Sequence, residues 1–247
     1  MIIDYHSHIK WDREKNTFDV DGLLNDMKDN NISVRVISAL HGPSIREQNN
    51  FVENLVKLYP DRLIGSAIIN PKALDCIDEM KRVCESGNFK CIELDSLEHN
   101  YYPEECPELD EIFNLADSYN IIVNVFTGWG PRTMPAQWAY YAKRHKNVKI
   151  VALHMGTTDF GYGTVNLIPK YENMYVETSC MYELPILKKA FEKIDNKKIL
   201  FGSHYPHKLT CCSIDTFDLL NLDKETKDNL YYKNAAHLLG LKFNNYK

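Results

Sequence analysis

Four of the nine histidines in this 247-residue chain sit where metal or proton chemistry would need them. His6 and His8 are separated by one residue in Asp4-Tyr5-His6-Ser7-His8. Residues two apart on a strand share a face, so both imidazoles can reach one ion. His154 follows Val151-Ala152-Leu153 and His204 follows Phe201-Gly202-Ser203, each closing a short apolar run. Glu93 and Asp95 alternate in Cys91-Ile92-Glu93-Leu94-Asp95. If their common face turns inward, a carboxylate there can bind a metal, move a proton or orient an imidazole. If it turns outward, the two residues are helix caps or loop anchors. Asp4, two before His6, is expected to brace the site from below, and Asp159 is a lesser loop candidate.

Around these groups lie residues suited to holding a small substrate. Thr127-Gly128-Trp129-Gly130-Pro131-Arg132 combines backbone that can approach a ligand, an apolar wall in Trp129 and a carboxylate partner in Arg132. The same stretch also reads as a rigid turn bearing a surface arginine. Trp11 follows His8, Tyr205 adjoins His204, and His41 is a rim candidate.

Side chains so far apart in sequence need a scaffold that gathers strand ends. Short β-branched runs predict strands at 2–7, 33–40, 62–69, 89–95, 120–127, 148–154, 173–178 and 198–203, with starts 25 to 31 residues apart. Each is almost continuously apolar, as in a sheet covered on both faces. Between them, apolar residues recur every three to four positions at 19–30, 47–58, 73–84, 107–118, 135–145 and 183–194. Further helices are expected at 213–220 and 224–239. Eight such units predict an α/β fold, a closed (β/α)8 TIM barrel over 1–247 as a single domain, with chemistry at the C-terminal strand ends. A doubly wound nucleotide-binding sheet is disfavoured, because no glycine follows the first strand until Gly22.

Composition narrows the partners. With 29 basic and 34 acidic residues the net charge is −5, a poor field for nucleic acid. No apolar stretch is long enough for a membrane span and no export signal opens the chain. Seven scattered cysteines, among them adjacent Cys211 and Cys212, read as reduced thiols. A cytoplasmic protein acting on a small molecule is expected, with a homo-oligomer as an open option.

These motifs, taken in order, resemble the amidohydrolase superfamily. The closer likeness is to the branch containing aminocarboxymuconate-semialdehyde decarboxylase and related decarboxylases and lactone hydrolases. The resemblance rests on Asp4-Tyr5-His6-Ser7-His8, Ala67-Ile68-Ile69-Asn70-Pro71, Val151-Ala152-Leu153-His154-Met155-Gly156, Leu200-Phe201-Gly202-Ser203-His204-Tyr205-Pro206 and Asn234-Ala235-Ala236-His237-Leu238-Leu239-Gly240-Leu241. It implies a divalent metal, zinc first, on His6 and His8, and a catalytic or binding role for His154. Four positions depart from the pattern. Phe126 stands where the family has a ligand histidine, and His204 where it has an aspartate. Glu93 and Asp95 replace a basic residue and a histidine. The resulting expectation is a metal site of His6, His8, His204 and Glu93. His154, Asp95 and Glu93 are the catalytic candidates, and Trp129, Arg132, Tyr205 and Trp11 bind substrate. The reaction expected first is hydrolysis of a small amide, lactone or ester by metal-activated water. Alternatives are metal-dependent, non-oxidative decarboxylation of a small unsaturated or aromatic acid, or a barrel that has lost catalysis and retains binding.

Overall fold

Short apolar strands alternate with amphipathic helices along the computed structural model, which describes residues 1–242. The last five residues of the expected domain lie outside the described residues. The strands are β1 (Ile3–Asp12), β2 (Thr17–Phe18), β3 (Val34–Leu40), β4 (Leu63–Ile68), β5 (Phe89–Leu94), β6 (Ile122–Val125), β7 (Ile150–Ala152), β8 (Met174–Glu177) and β9 (Ile199–Leu200). They form one sheet in the order β2-β1-β3-β4-β5-β6-β7-β8-β9. Only β2 is antiparallel, a short hairpin return that the sequence pattern does not announce. The eight others are the expected parallel strands.

The helices are α1 (Val20–Asp29), α2 (Ile45–Leu58), α3 (Cys76–Ser86), α4 (Glu108–Tyr119), α5 (Ala139–Arg144), α6 (Thr157–Leu167), α7 (Leu184–Lys193), α8 (Thr210–Asp218), α9 (Lys224–Asp228) and α10 (Asn234–Leu239). A π-helical turn at Asn229–Lys233 joins the last two. Among these, α6 has no counterpart in the sequence prediction. Its two glycines and three threonines leave no clean apolar stripe. No helix among the described residues is long and apolar enough to cross a membrane.

Regular pairing ends at β9, and the seam back to β1 is made by three backbone hydrogen bonds. Tyr5 N donates to Phe201 O at 2.8 Å, His204 N to His6 O at 2.9 Å, and His8 N to Tyr205 O at 2.7 Å. The curled sheet is thus a distorted (β/α)8 barrel whose irregular seam carries three of the four key histidines. Ile3, Tyr5, Val34, Val36, Cys91, Val151 and Leu200 fill the interior. A larger apolar layer lies between sheet and helices. From the last helix, Asn234 Nδ2 donates to Asn196 O at 2.6 Å and Ile199 O at 2.8 Å, fastening that helix to β9.

A bulge in β1 sets which residues face the barrel. Ile3 and Asp4 pair with Val34 and Arg35, but Ser7 and His8 pair with Ile37 and Ser38, so β1 carries one extra residue. Strict alternation would turn Tyr5 and Ser7 the same way and His6 the other. The bulge instead lets Tyr5, His6 and His8 all point inward.

Asp4 therefore does not share the face of His6 as the simple alternation predicts. It lies behind the strand, where Arg35 Nε donates to its Oδ2 at 2.8 Å. Ser203 N and Oγ donate to it at 2.8 and 2.6 Å. Arg35 continues to Asp26 of α1 at 2.6 Å and Thr210 of α8 at 3.3 Å. The brace exists, but it grips the residue before His204 from outside. Arg35 and Asp4 are fully buried, and removing one member of such a pair strands the other charge. Arg35→Ala should cost about 3–5 kcal/mol of unfolding free energy in urea titrations. A loss below about 1 kcal/mol would show that the pair does not secure the seam.

Candidate metal and substrate site

Interior strand ends converge on a cavity of about 360 Å³. His8, His41, His99, His154, His204 and His207 line it, with Glu93, Asp95 and Glu98 as its acids and Ala39, Ile45, Ile68, Leu97 and Phe126 as its apolar wall. His6 lies buried against this cluster. Its ring centroid is 4.8 Å from that of His8, 4.9 Å from His154 and 5.3 Å from His204.

Two serine–carboxylate relays fix how the imidazoles present their nitrogens. Ser179 Oγ donates to Glu177 Oε2 at 2.7 Å. Its oxygen is then left to accept, and His154 Nδ1 lies 2.8 Å away. His6 Nδ1 faces the same pair, 3.3 Å from both Ser179 Oγ and Glu177 Oε2. Ser38 Oγ donates to Glu93 Oε2 at 2.8 Å and faces His8 Nδ1 at 2.7 Å. The network thus assigns a proton to Nδ1 in all three rings; Nε2 of His8 and His154 keeps a free lone pair, and Nε2 of His6 offers one when a cation takes the place of the second ring proton. His6 Nε2 and His154 Nε2 are buried with no hydrogen-bond partner.

Glu177 is fully buried at the end of β8. A Cβ on Gly202 would come within 2.0 Å of its Oε1, so only glycine leaves room for this carboxylate. His154, Cys180 and His204 have φ values of 60°, 60° and 56°. A side chain in this left-handed region carries a strain of order 1–3 kcal/mol, which the surrounding bonds must hold.

Electrostatics follow from burial and from the two acids. Burial opposes charge on His6, but Glu177 and Glu93 outweigh it and raise its pKa. The 3.7 Å approach of Glu93 to His6 Nε2 is an ionic contact, too long for a hydrogen bond. Burial alone would raise Glu93, yet His8 and His6 hold its pKa below the usual carboxylate range. His8, His154 and His204 are all pushed down, first by burial and then by neighbouring imidazoles, His6 foremost for His8 and His154, and His154 foremost for His204. Burial pushes Asp95 up to about 6, although its Oδ1 accepts from the Leu97 and Glu98 amides at 2.9 Å each.

Donor atoms approach closely enough to hold one ion in three overlapping groups: His6, His8 and Glu93; His6, His154 and Glu177; and His154, Cys180 and His204. The residues suit a divalent cation, since unpartnered imidazole lone pairs and anionic oxygen meet in a buried place. The expected four-residue set is divided: His204 falls with His154 and Cys180 rather than with His6, His8 and Glu93. Its Nδ1 is 3.0 Å from Cys180 Sγ.

Glu93 and Asp95 both turn inward to the cavity. Phe126 stacks on Trp129 at 5.3 Å, and Trp129 meets His154 edge-on at 5.2 Å, placing the tryptophan on the rim. Trp11 lies instead in an adjoining groove that shares His41 and His207 with the cavity. Tyr205 packs over the Arg35 guanidinium at 4.8 Å, and Arg132 lies over Tyr102 at 5.8 Å. Neither is brought to the cavity wall. Sequence reasoning missed Ser38, Glu177, Ser179, Cys180, His99 and His207. For Glu177 one signal existed, a carboxylate closing the seventh apolar run beside Thr178-Ser179.

Comparison with known proteins matches these features to a family. The amidohydrolase family profile matches residues 3–241. No curated protein matches the chain in sequence. Among solved structures, the chain is similar to 5-carboxyvanillate decarboxylase from Novosphingobium aromaticivorans complexed with manganese and a nitrobenzoic acid. The identity is 14% and the TM-score 0.76, with 98% of this chain and 96% of that one covered. It is also similar to 2,6-dihydroxybenzoate decarboxylase from Rhizobium, with 15% identity, TM-score 0.74, and 97% and 98% covered. A third similar structure is a probable 2-pyrone-4,6-dicarboxylic acid hydrolase from Acinetobacter baumannii, with 16% identity, TM-score 0.75, and 97% and 99% covered.

The glycine beside Glu177 offers a direct test of the relay. Gly202→Ala should displace that carboxylate, release the His6 and His154 rings, and weaken divalent-cation affinity about 10–100-fold in calorimetric titration. Unchanged affinity would remove Glu177 from any orienting role.

Proposed function

Because the chain belongs to the amidohydrolase family, we propose that it is a divalent-metal-dependent enzyme that decarboxylates a small unsaturated or aromatic acid without oxidation. The observation that carries this reading is the pair of buried, unpartnered Nε2 atoms on His6 and His154, beside Glu93 in a cavity rich in imidazole. His6, His8 and Glu93 would hold the ion, zinc from the nitrogen-rich donors or manganese as in one structural relative. Bound there, the cation would anchor the substrate carboxylate or a neighbouring oxygen and stabilise charge that develops on it.

The chain's own residues supply the rest. Phe126 and Ile68 provide apolar surface for a flat ring, and Trp129 closes the rim. His154, its Nδ1 committed to Ser179, accepts a hydrogen bond through Nε2 from a substrate hydroxyl. Asp95 lines the cavity with one oxygen anchored by amides, and it delivers a proton to the carbon that bears the carboxylate. The carbon–carbon bond then breaks, its electron pair restores the unsaturated system, and carbon dioxide leaves. Water returns the proton to Asp95. The barrel is a protein of small-molecule chemistry in this reading, and the solved relatives just described all bear names of acids with one or two carboxylates.

A second reading, hydrolysis of a lactone or ester, draws on the pyrone hydrolase likeness. In it Asp95 takes a proton from water instead of giving one to carbon. The two reactions separate cleanly. Manganese- or zinc-loaded protein incubated with hydroxybenzoates and carboxylated phenols should release carbon dioxide and incorporate solvent deuterium at the vacated carbon. Asp95→Asn should cut kcat at least about 100-fold, and His6→Ala should abolish manganese retention. Ring-opened acid from pyrones, with no carbon dioxide from any carboxylated substrate, would reverse the order of the two readings.

A further inference from the structure

A second cluster, which shares no residue with His6, His8 and Glu93, has a different chemical character. His154, Cys180 and His204 bring two imidazoles and one sulfur within 4.8 Å of one another. Cys180 Sγ is 3.0 Å from His204 Nδ1, and the His154 and His204 ring centroids are 4.5 Å apart. His154 is fully buried, and its Nε2 has no partner although Nδ1 is committed to Ser179. That lone pair is the independent sign that something electrophilic is accommodated here. Both imidazoles also line the cavity, so the cluster is open to solution on one side.

We propose that His154, Cys180 and His204 form a second cation site, selective for thiophilic ions such as zinc, cobalt(II) or cadmium. Two nitrogens, one thiolate and one open position are a familiar donor set for such ions, whereas manganese and magnesium prefer oxygen. The two clusters therefore differ in hardness. The His6–His8–Glu93 group has a carboxylate and accepts the harder ions, and the Cys180 group does not. Binding converts the Cys180 thiol to a thiolate, and its proton leaves for solvent, so the sulfur contributes one negative charge to the complex. An ion seated there takes the His154 lone pair out of the cavity. Excess thiophilic metal consequently blocks the substrate-facing nitrogen invoked above. This consequence rests on the proposed reaction; the site itself does not.

Cobalt(II) reports the two sites separately. Exposed Cys211 and Cys212 would give a competing signal, so the parent protein carries Cys211→Ser and Cys212→Ser. Metal-free parent should bind a second cobalt equivalent with the appearance of a near-ultraviolet thiolate-to-cobalt charge-transfer band. Cys180→Ser should lose that band and that equivalent while keeping the first. Glu93→Gln should weaken the first equivalent and retain the band. A parent without the band, or a band that survives Cys180→Ser, overturns the second site. Full retention of both equivalents in Glu93→Gln instead overturns the His6–His8–Glu93 assignment, while a band that depends on Cys180 still supports the second site. Should Cys180→Ser fail to fold, X-ray absorption of the zinc-saturated parent decides: a sulfur scatterer at about 2.3 Å supports the site, and its absence refutes it.

Discussion

Two carboxylates buried against one imidazole are the constraint on which this site depends. Glu177 approaches His6 Nδ1 to 3.3 Å and Glu93 approaches Nε2 to 3.7 Å. Neither acid has a lysine or arginine to balance it within the hydrogen-bond network that holds it. Buried anions without balancing charge are costly, so the centre calls for positive charge at His6. A proton on the ring supplies one unit, and a divalent cation supplies two. The neighbouring imidazoles are poorer carriers of that charge, because burial first, and then the imidazoles around them, push His8, His154 and His204 down. The serines then become intelligible. Each donates to a carboxylate and accepts from a histidine, so the negative charge is spread while the ring nitrogens are sorted into donors and free lone pairs.

That arrangement needs the barrel seam to be irregular. A regular β1 would send His6 outward, where Asp4 and Arg35 already occupy the space between strand and helices. The extra residue in β1 inverts the parity after Tyr5 and admits His6 to the interior. On the other side of the seam, β9 is short, and the chain beyond it bends so that His204 N can donate to His6 O. Asp4 holds that bend through Ser203. Gly202, one residue earlier, leaves the volume that Glu177 fills. Strand pairing is thus given up where side-chain placement matters most.

The sequence carries the barrel plainly because strands covered on both faces must be apolar throughout, and residues such as Val151-Ala152-Leu153 admit few other readings. Histidines that close those runs stand out against the apolar background, as His6, His8, His154 and His204 do. The supporting residues do not. Ser38, Ser179 and Glu177 are of types that close strands and cap helices everywhere, and their importance lies in contacts across 25 to 173 residues of chain. The bulge is invisible for a related reason: it changes which face a residue takes without changing any residue type. The helix α6 escapes because Gly161 and Gly163 interrupt its periodicity, and Gly161 is itself required by the close approach of Ile186 and Met181.

The two departures from the family pattern at Phe126 and His204 gain meaning from this balance of charge. Histidine in place of aspartate at the end of the barrel removes one negative charge, yet the centre is not left poor in anions. Glu93 supplies one from β5, in contact with both the His6 ring and the Ser38 relay. Glu177 supplies another from β8. Phe126, in place of a ligand, gives the His154 ring an edge-on aromatic neighbour 5.0 Å away. A site drifting free of function would be expected to shed buried acids, fill its cavity and relax strained backbone, because each of these changes adds stability. Here Glu177 and Glu93 are buried, His41, His154, Cys180 and His204 sit at positive φ, and imidazole nitrogens stay unpartnered beside an open cavity. Such costs fit groups that have something to hold, and buried carboxylates beside unpartnered imidazole nitrogens suit a cation.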